Sequence, residues 1–175
     1  DEQKGFDTLL AAFESLATRY SDWELAILGE GPERQRLEEQ RDSLGLADRL
    51  HLPGRVGNLS DWYARADFYV MSSRFEGFPN TLAEAMAHGL PAVSFDCDAG
   101  PRDIICEGVD GYLVQPSEGP FGLSRAMEKL MQDETQRQQM AEAAVSVRER
   151  FSIARIAAEW DEVLGLAGNK LVTLG

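Results

Sequence analysis

Two glutamates, Glu76 and Glu84, stand with seven residues between them in the stretch Arg74-Phe75-Glu76-Gly77-Phe78-Pro79-Asn80-Thr81-Leu82-Ala83-Glu84. Glu76 interrupts an otherwise apolar run, Phe75 before it and Gly77-Phe78 after it, where packing gives no reason for a carboxylate. The apolar segment Phe68-Tyr69-Val70-Met71 that precedes this stretch reads as a strand, and the residues from Asn80 or Thr81 to about His88 read as a helix. A parallel strand that ends where a helix begins is the usual ligand crevice of an open α/β sheet. Gly77 allows a close approach of backbone to ligand, and free amides from Phe78 to Ala83 would present a positive helix N-terminus suited to phosphate. Glu84, placed in the first turn, would face whatever those amides hold. A second reading stands beside this one. Thr81-Leu82-Ala83-Glu84 is also a capping box, in which Glu84 does no more than bond the amide of Thr81.

The elements that must position these residues alternate. Helical spacing of apolar residues over Phe6 to Ala17 is followed by a short strand, Trp23 to Leu28. After the turn Gly29-Glu30-Gly31-Pro32, a helix runs from Pro32 to about Leu44 and is ended by Gly45. Arg49 to Leu52 reads as a strand closed by Pro53-Gly54, and Leu59 to Ala64 as a short helix. Beyond the central helix, Pro91 to Phe95 and Gly111 to Val114 read as buried strands. The rest is a helical tail: Leu123 to Met131, Glu134 to Arg150, and Ser152 to about Leu164. Such alternation predicts the α/β class, a Rossmann-like parallel sheet with helices on both faces, in one domain over residues 1–175. The chain opens on a helix where such folds usually open on a strand, so it is expected to be a piece of a larger protein, its first strand lying upstream.

Composition narrows the chemistry. There are 30 acidic and 17 basic residues in 175, a net charge of −13, which disfavours nucleic acid as a partner. Apolar residues make up 43%, enough for a real core. No apolar run approaches the roughly 20 residues of a membrane-spanning helix, and no signal-peptide pattern opens the chain, so a cytoplasmic domain is expected. Cys97 and Cys106 lack the CxxC spacing of zinc or redox sites.

The two glutamates and their frame, Phe-Glu-Gly-Phe-Pro-Asn and Glu-Ala-Met-Ala-x-Gly-Leu-Pro, resemble the E-x7-E signature of retaining glycosyltransferases of family 4. The likeness extends to Gln3-Lys4-Gly5-Phe6-Asp7, Leu28-Gly29-Glu30-Gly31-Pro32, Leu52-Pro53-Gly54-Arg55-Val56, Gly100-Pro101-Arg102-Asp103-Ile104-Ile105 and Asp110-Gly111-Tyr112-Leu113-Val114. Those enzymes have the GT-B fold, two Rossmann-like domains facing across a cleft, and every matching segment belongs to the C-terminal, donor-binding domain. The resemblance therefore implies that an N-terminal acceptor domain is missing. It also implies roles. Glu84 matches the residue that holds the ribose hydroxyls of a nucleotide sugar, and Glu76 the one that contacts the donor hexose. The backbone of Gly77, Phe78, Pro79, Asn80 and Thr81 would hold sugar hydroxyls and diphosphate. Lys4 matches the lysine that neutralises the leaving diphosphate, a charge that develops as the bond breaks. Arg55 and Val56 match the loop that clasps the nucleobase, although an ordinary turn built on Gly54 and Gly57 is the alternative. No metal and no cofactor are expected.

Other residues read more blandly. The turn at Gly29 tempts a dinucleotide reading, but Arg34 replaces the third glycine. His88 reads as a helix cap, His51 as packing or surface, and Cys97 as a buried inert thiol. Arg102 could meet a phosphate or form a surface ion pair. The implied activity is retaining transfer of a hexose from a UDP- or GDP-linked sugar to an acceptor. Phe95 to Arg102 resembles bacterial enzymes of cell-surface polysaccharide or glycolipid synthesis, whose parent proteins can sit at the inner membrane face. The alternatives are another GT-B enzyme, such as a nucleotide-sugar epimerase or a phosphorylase, and a nucleotide-binding module without catalysis. The isolated domain is expected not to turn over.

Overall fold

A computed structural model describes residues 2–165 of the chain. The five short strands among these residues are all parallel and fall into two sheets. In the first, β1 (Leu25–Leu28) pairs with β2 (Leu50–Gly54), with Leu25 opposite Leu50 and a register shift before Leu28. In the second, β3 (Tyr69–Met71), β4 (Ala92–Phe95) and β5 (Gly111–Val114) lie in that order. Helices fill the connections: α1 (Phe6–Ala17), α2 (Arg34–Ser43), α3 (Leu59–Tyr63), α4 (Asn80–Ala87), α5 (Pro101–Ile104), α6 (Gly119–Gln132), α7 (Glu134–Ala144), α8 (Val147–Arg150) and α9 (Ile153–Val163).

The strand pleat sorts side chains to two faces, because successive residues of a strand point in opposite directions. Val93, Phe95, Tyr112 and Val114 join the core formed by α1 and α6, where Leu10, Phe13, Leu123 and Leu130 are almost wholly buried. Their neighbours Ala92 and Leu113 join the opposite core with Leu82 and Met86 of α4, Ile104 of α5 and Val147 of α8. Helices thus flank the sheets on both faces, as the sequence predicts.

Three expectations need correction, and one helix goes unread in the sequence. The single expected sheet is divided in two: among the described residues β1 and β3 each have a strand partner on one side only, and between them runs an apolar groove of about 1100 Å³. Phe13 of α1, Ile27 of β1, Val70 of β3 and Met131 of α6 line it. The four-residue helix α5 is absent from the pattern reading, being too short for a period to show. The helix expected over Glu134 to Arg150 breaks at Val145-Ser146, where the chain turns so that Val147 is buried beside Ala144. Finally, the helix expected from Pro32 starts at Arg34, its Glu33 lying at the cap. The helical tail does form, and Ser152 caps α9 by accepting from the Arg155 amide at 3.2 Å. No described helix is long and apolar enough to cross a membrane.

Candidate functional site

The site gathers at the C-terminal ends of β2 and β3, and its first part is a clamp. Gly5 caps α1 in the left-handed region at φ 63°, and a Cβ there would lie 2.2 Å from the Ser72 carbonyl oxygen. Only glycine permits that approach. It brings residues 2–5 against the loop that leaves β3. The Ser72 hydroxyl donates to the Lys4 carbonyl at 2.8 Å, the Arg74 amide to the Gln3 carbonyl at 2.8 Å, and the Gln3 side-chain amide to the Phe75 carbonyl at 3.0 Å. The Arg74 guanidinium adds a bond to the Glu2 carbonyl and a two-pronged pair with Asp7 at 2.9 and 3.1 Å. Held this way, Lys4 Nζ donates to Glu76 Oε1 at 2.7 Å. The Glu76 side chain is only 12% exposed and that of Lys4 43%, so the lysine is the outer partner.

Glu84 belongs to α4, and the structure corrects the capping-box reading. Pro79, not Asn80 or Thr81, is the N-cap, with φ −79° and ψ 90°. Thr81 is therefore already inside the helix, and Glu84 is its fifth residue, past the first turn. No capping box forms. The amides of Leu82 and Ala83 already bond the Pro79 carbonyl at 3.1 and 3.3 Å, so the positive end is narrower than expected. It consists of Asn80 and Thr81, whose N–H groups precede the first intrahelical bond, together with the loop before them. Gly77, Phe78, Asn80, Thr81 and Glu84 are exposed or half-buried, and Pro79 is buried. A Cβ on Gly77 would meet nothing, whereas one on Gly100 would lie 2.2 Å from the Gly77 carbonyl oxygen. The start of α5 thus supports the Gly77 loop from below.

Burial and charge shape the surroundings. The Tyr69 hydroxyl donates to the Thr81 hydroxyl at 3.0 Å; burial pushes Tyr69 up, with Glu76 and Glu84 adding to the shift. Tyr63 is pushed up to about 12, first by burial and then by Tyr69 and Glu84. Burial, helped by Glu76, raises the Cys97 thiol, whose Sγ donates to the Ser73 carbonyl at 3.0 Å. The inert-thiol reading of Cys97 fits that environment.

Arg55 and Val56 follow β2 and, with Thr81 and Tyr63, line the groove between the two sheets. The structure thus brings the predicted residues together as two groups, Lys4 with Glu76 and Arg55 with Val56 and Thr81, while Glu84 is exposed on α4, its charge felt by Tyr63 and Tyr69 of the groove. Among the lesser residues, Arg102 pairs with Asp96 at 2.9 Å, His51 with Glu24 at 2.8 Å, and the His88 ring reaches the Glu84 carbonyl at 2.8 Å as a cap. Arg34 ties Glu30 to the Leu52 carbonyl, an anchoring role that suits the rejection of a dinucleotide loop. Sequence reasoning misses Ser72, Arg74 and Asp7, which seat Lys4. The lone glycine between Lys4 and Phe6 is the available signal.

The sequence profile of the family described as glycosyl transferases group 1 matches residues 1–147. The chain belongs to that family. An uncharacterised glycosyltransferase of Haemophilus influenzae is 30% identical over 161 residues, 92% of this chain and 45% of that protein. A lipopolysaccharide core biosynthesis glycosyltransferase of Rhizobium meliloti is 33% identical over 141 residues, 81% of this chain and 40% of that protein. This group 1 chain therefore spans less than half the length of these relatives. Among solved structures, the pneumococcal O-GlcNAc transferase GtfA, in complex with UDP and GlcNAc, superposes with a TM-score of 0.80 at 26% identity, over 97% of this chain and 34% of GtfA.

Proposed function

We propose that this group 1 chain is the donor-binding half of a retaining glycosyltransferase of family 4, which moves a hexose from a UDP- or GDP-linked sugar to an acceptor in bacterial cell-surface polysaccharide or glycolipid synthesis. The observation that carries the reading is the Lys4–Glu76 pair, 2.7 Å apart, at the end of β3 and directly before the N-terminus of α4. An ammonium carried on a fixed backbone, at the strand end that leads to unengaged helix amides, is suited to a diphosphate, whose negative charge grows as the sugar departs. Lys4 and the Asn80 and Thr81 amides take the diphosphate, and Gly77 and Phe78 the sugar hydroxyls. Glu76 accepts from the hexose, Glu84 from the ribose hydroxyls, and Arg55 and Val56 hold the base. With the leaving charge met by Lys4, the step requires no metal. The UDP-bound pneumococcal transferase and the lipopolysaccharide relative support the donor class and the pathway class.

The acceptor site lies on another domain of the same protein in this reading. The groove between β1 and β3 seats one further parallel strand, leading into Glu2 and joining the two sheets. Two facing strand edges without partners among the described residues support this, as does the docking of residues 2–4 just past the end of β3, where such a strand emerges. Calorimetric titration with UDP, GDP and ADP, each bare and sugar-linked and each in the presence of chelator, tests the function. Binding of a UDP- or GDP-sugar in chelator is expected. Binding only after manganese is added, or to none of the six ligands, counts against it.

A further inference from the structure

The Glu76 carboxylate is short of partners. Its side chain is 12% exposed, and among the described residues Lys4 is the only group that donates to it. Tyr69 and Cys97, which feel its charge, spend their protons elsewhere, Tyr69 on the Thr81 hydroxyl at 3.0 Å and Cys97 on the Ser73 carbonyl at 3.0 Å. Lys4, meanwhile, has a fixed backbone and a movable head. Its carbonyl is pinned by Ser72 and its neighbours by Arg74, while its side chain is 43% exposed. A side-chain rotation can carry the ammonium from one anion to another without disturbing the clamp.

We propose that Lys4 exchanges partners during the reaction cycle, and that this exchange lets the site prefer the sugar-bearing donor to the spent nucleoside diphosphate. The inference rests on the site reading given above, in which Lys4 meets the diphosphate and Glu76 the sugar. In the free protein Lys4 neutralises Glu76. When a sugar nucleotide enters, Lys4 turns to the diphosphate, and sugar hydroxyls donate to Glu76 in its place. A bare nucleoside diphosphate brings no hydroxyl to that position, so drawing Lys4 away leaves a largely buried carboxylate without a donor, which is costly. After transfer the sugar is gone, Glu76 reclaims Lys4, and the product is loosened.

Titration of UDP, GDP and their sugar-linked forms into the chain and its Glu76→Gln, Lys4→Met and doubly substituted variants tests this, with thermal unfolding to verify that each is folded. Glutamine keeps the shape of Glu76 and removes its charge. Bare nucleoside diphosphate is expected to bind Glu76→Gln roughly three- to fivefold tighter than the unaltered chain, the scale of a partly exposed ion pair. Sugar-linked donor should bind that variant more weakly, and the tightening should vanish when Lys4 is methionine. If the unaltered chain binds nucleoside diphosphate and Glu76→Gln binds it no tighter, or the gain persists without Lys4, the exchange is overturned while the site reading stands. If none of the four proteins binds any nucleoside diphosphate, the site reading itself fails and the exchange falls with it.

Discussion

Replacing Gly5 by alanine probes the clamp that seats Lys4. Gly5 sits at φ 63° and ψ 28°, where a residue with a Cβ costs about 1–2 kcal/mol. Alanine also restricts the unfolded chain, which offsets roughly 0.4–1 kcal/mol of that. Steric contact costs more: the new Cβ would lie 2.2 Å from the Ser72 carbonyl oxygen, a backbone atom with no rotamer to escape into. Residues 2–5 must then withdraw, giving up the Ser72–Lys4 and Arg74–Gln3 hydrogen bonds at about 1 kcal/mol each. Together these give a loss of about 2–4 kcal/mol, read as a lower urea midpoint at constant slope. Because the withdrawal carries Lys4 with it, nucleoside diphosphate affinity should fall by about tenfold or more in calorimetry. A loss below about 1 kcal/mol with unchanged affinity would refute the clamp.

Glu84→Gln should leave stability within about 0.5 kcal/mol, since the side chain caps nothing and changes to a residue of similar helix propensity; nucleotide affinity should nevertheless drop by about 1.5–3 kcal/mol, the worth of charge-assisted bonds to ribose. Equal losses in stability and affinity would return Glu84 to a structural role. A thiol reagent at neutral pH should modify Cys106 quickly and Cys97 only on unfolding, because Cys97 is buried and its thiol is raised by that burial; two fast-reacting thiols would contradict the packing. Asp110 is 1% exposed, accepts from the Cys106 amide at 2.7 Å and pairs with Arg150 at 2.8 Å, yet burial still raises it above the usual carboxylate range. A raised folded value means the folded state binds the proton more tightly, so this group's contribution to stability is fully present below the ordinary carboxylate value and is lost as pH rises through the folded one. Asp110→Asn, which keeps the acceptor for Cys106, should therefore cost less than Asp110→Ala, and the difference between the unaltered chain and Asp110→Asn should shrink or reverse as pH rises; urea midpoints across that range decide it.

What is legible in the sequence follows physical range. Elements with a strong local period, such as α1, α6 and the buried strands β4 and β5, emerge within a few residues of their ends. Glu76 stands out as well, because a carboxylate in an apolar turn is conspicuous on its own, whereas Glu84 in a helix leaves a capping role open. The division into two sheets is not legible, since pairing between β1 and β2 or between β3 and β4 depends on residues far apart in the chain. The N-cap of α4 is misread for a local reason. Proline at the cap supplies no side-chain bond, whereas Asn80 and Thr81 carry the side chains that usually cap a helix. The clamp is hidden because its bonds join residues 67 to 72 positions apart, with no spacing rule to reveal them.

A nucleotide sugar lying across the N-terminus of α4, its diphosphate between Lys4 and the Asn80 and Thr81 amides, is what the proposed function requires above all. An amide-resolved NMR titration of the chain with a UDP- or GDP-sugar in the presence of chelator tests it most directly. Saturable shifts concentrated at Gly77, Phe78, Asn80 and Thr81, with Arg55 and Val56 following, are the predicted result. Saturable shifts centred elsewhere, with those amides unmoved, would contradict it.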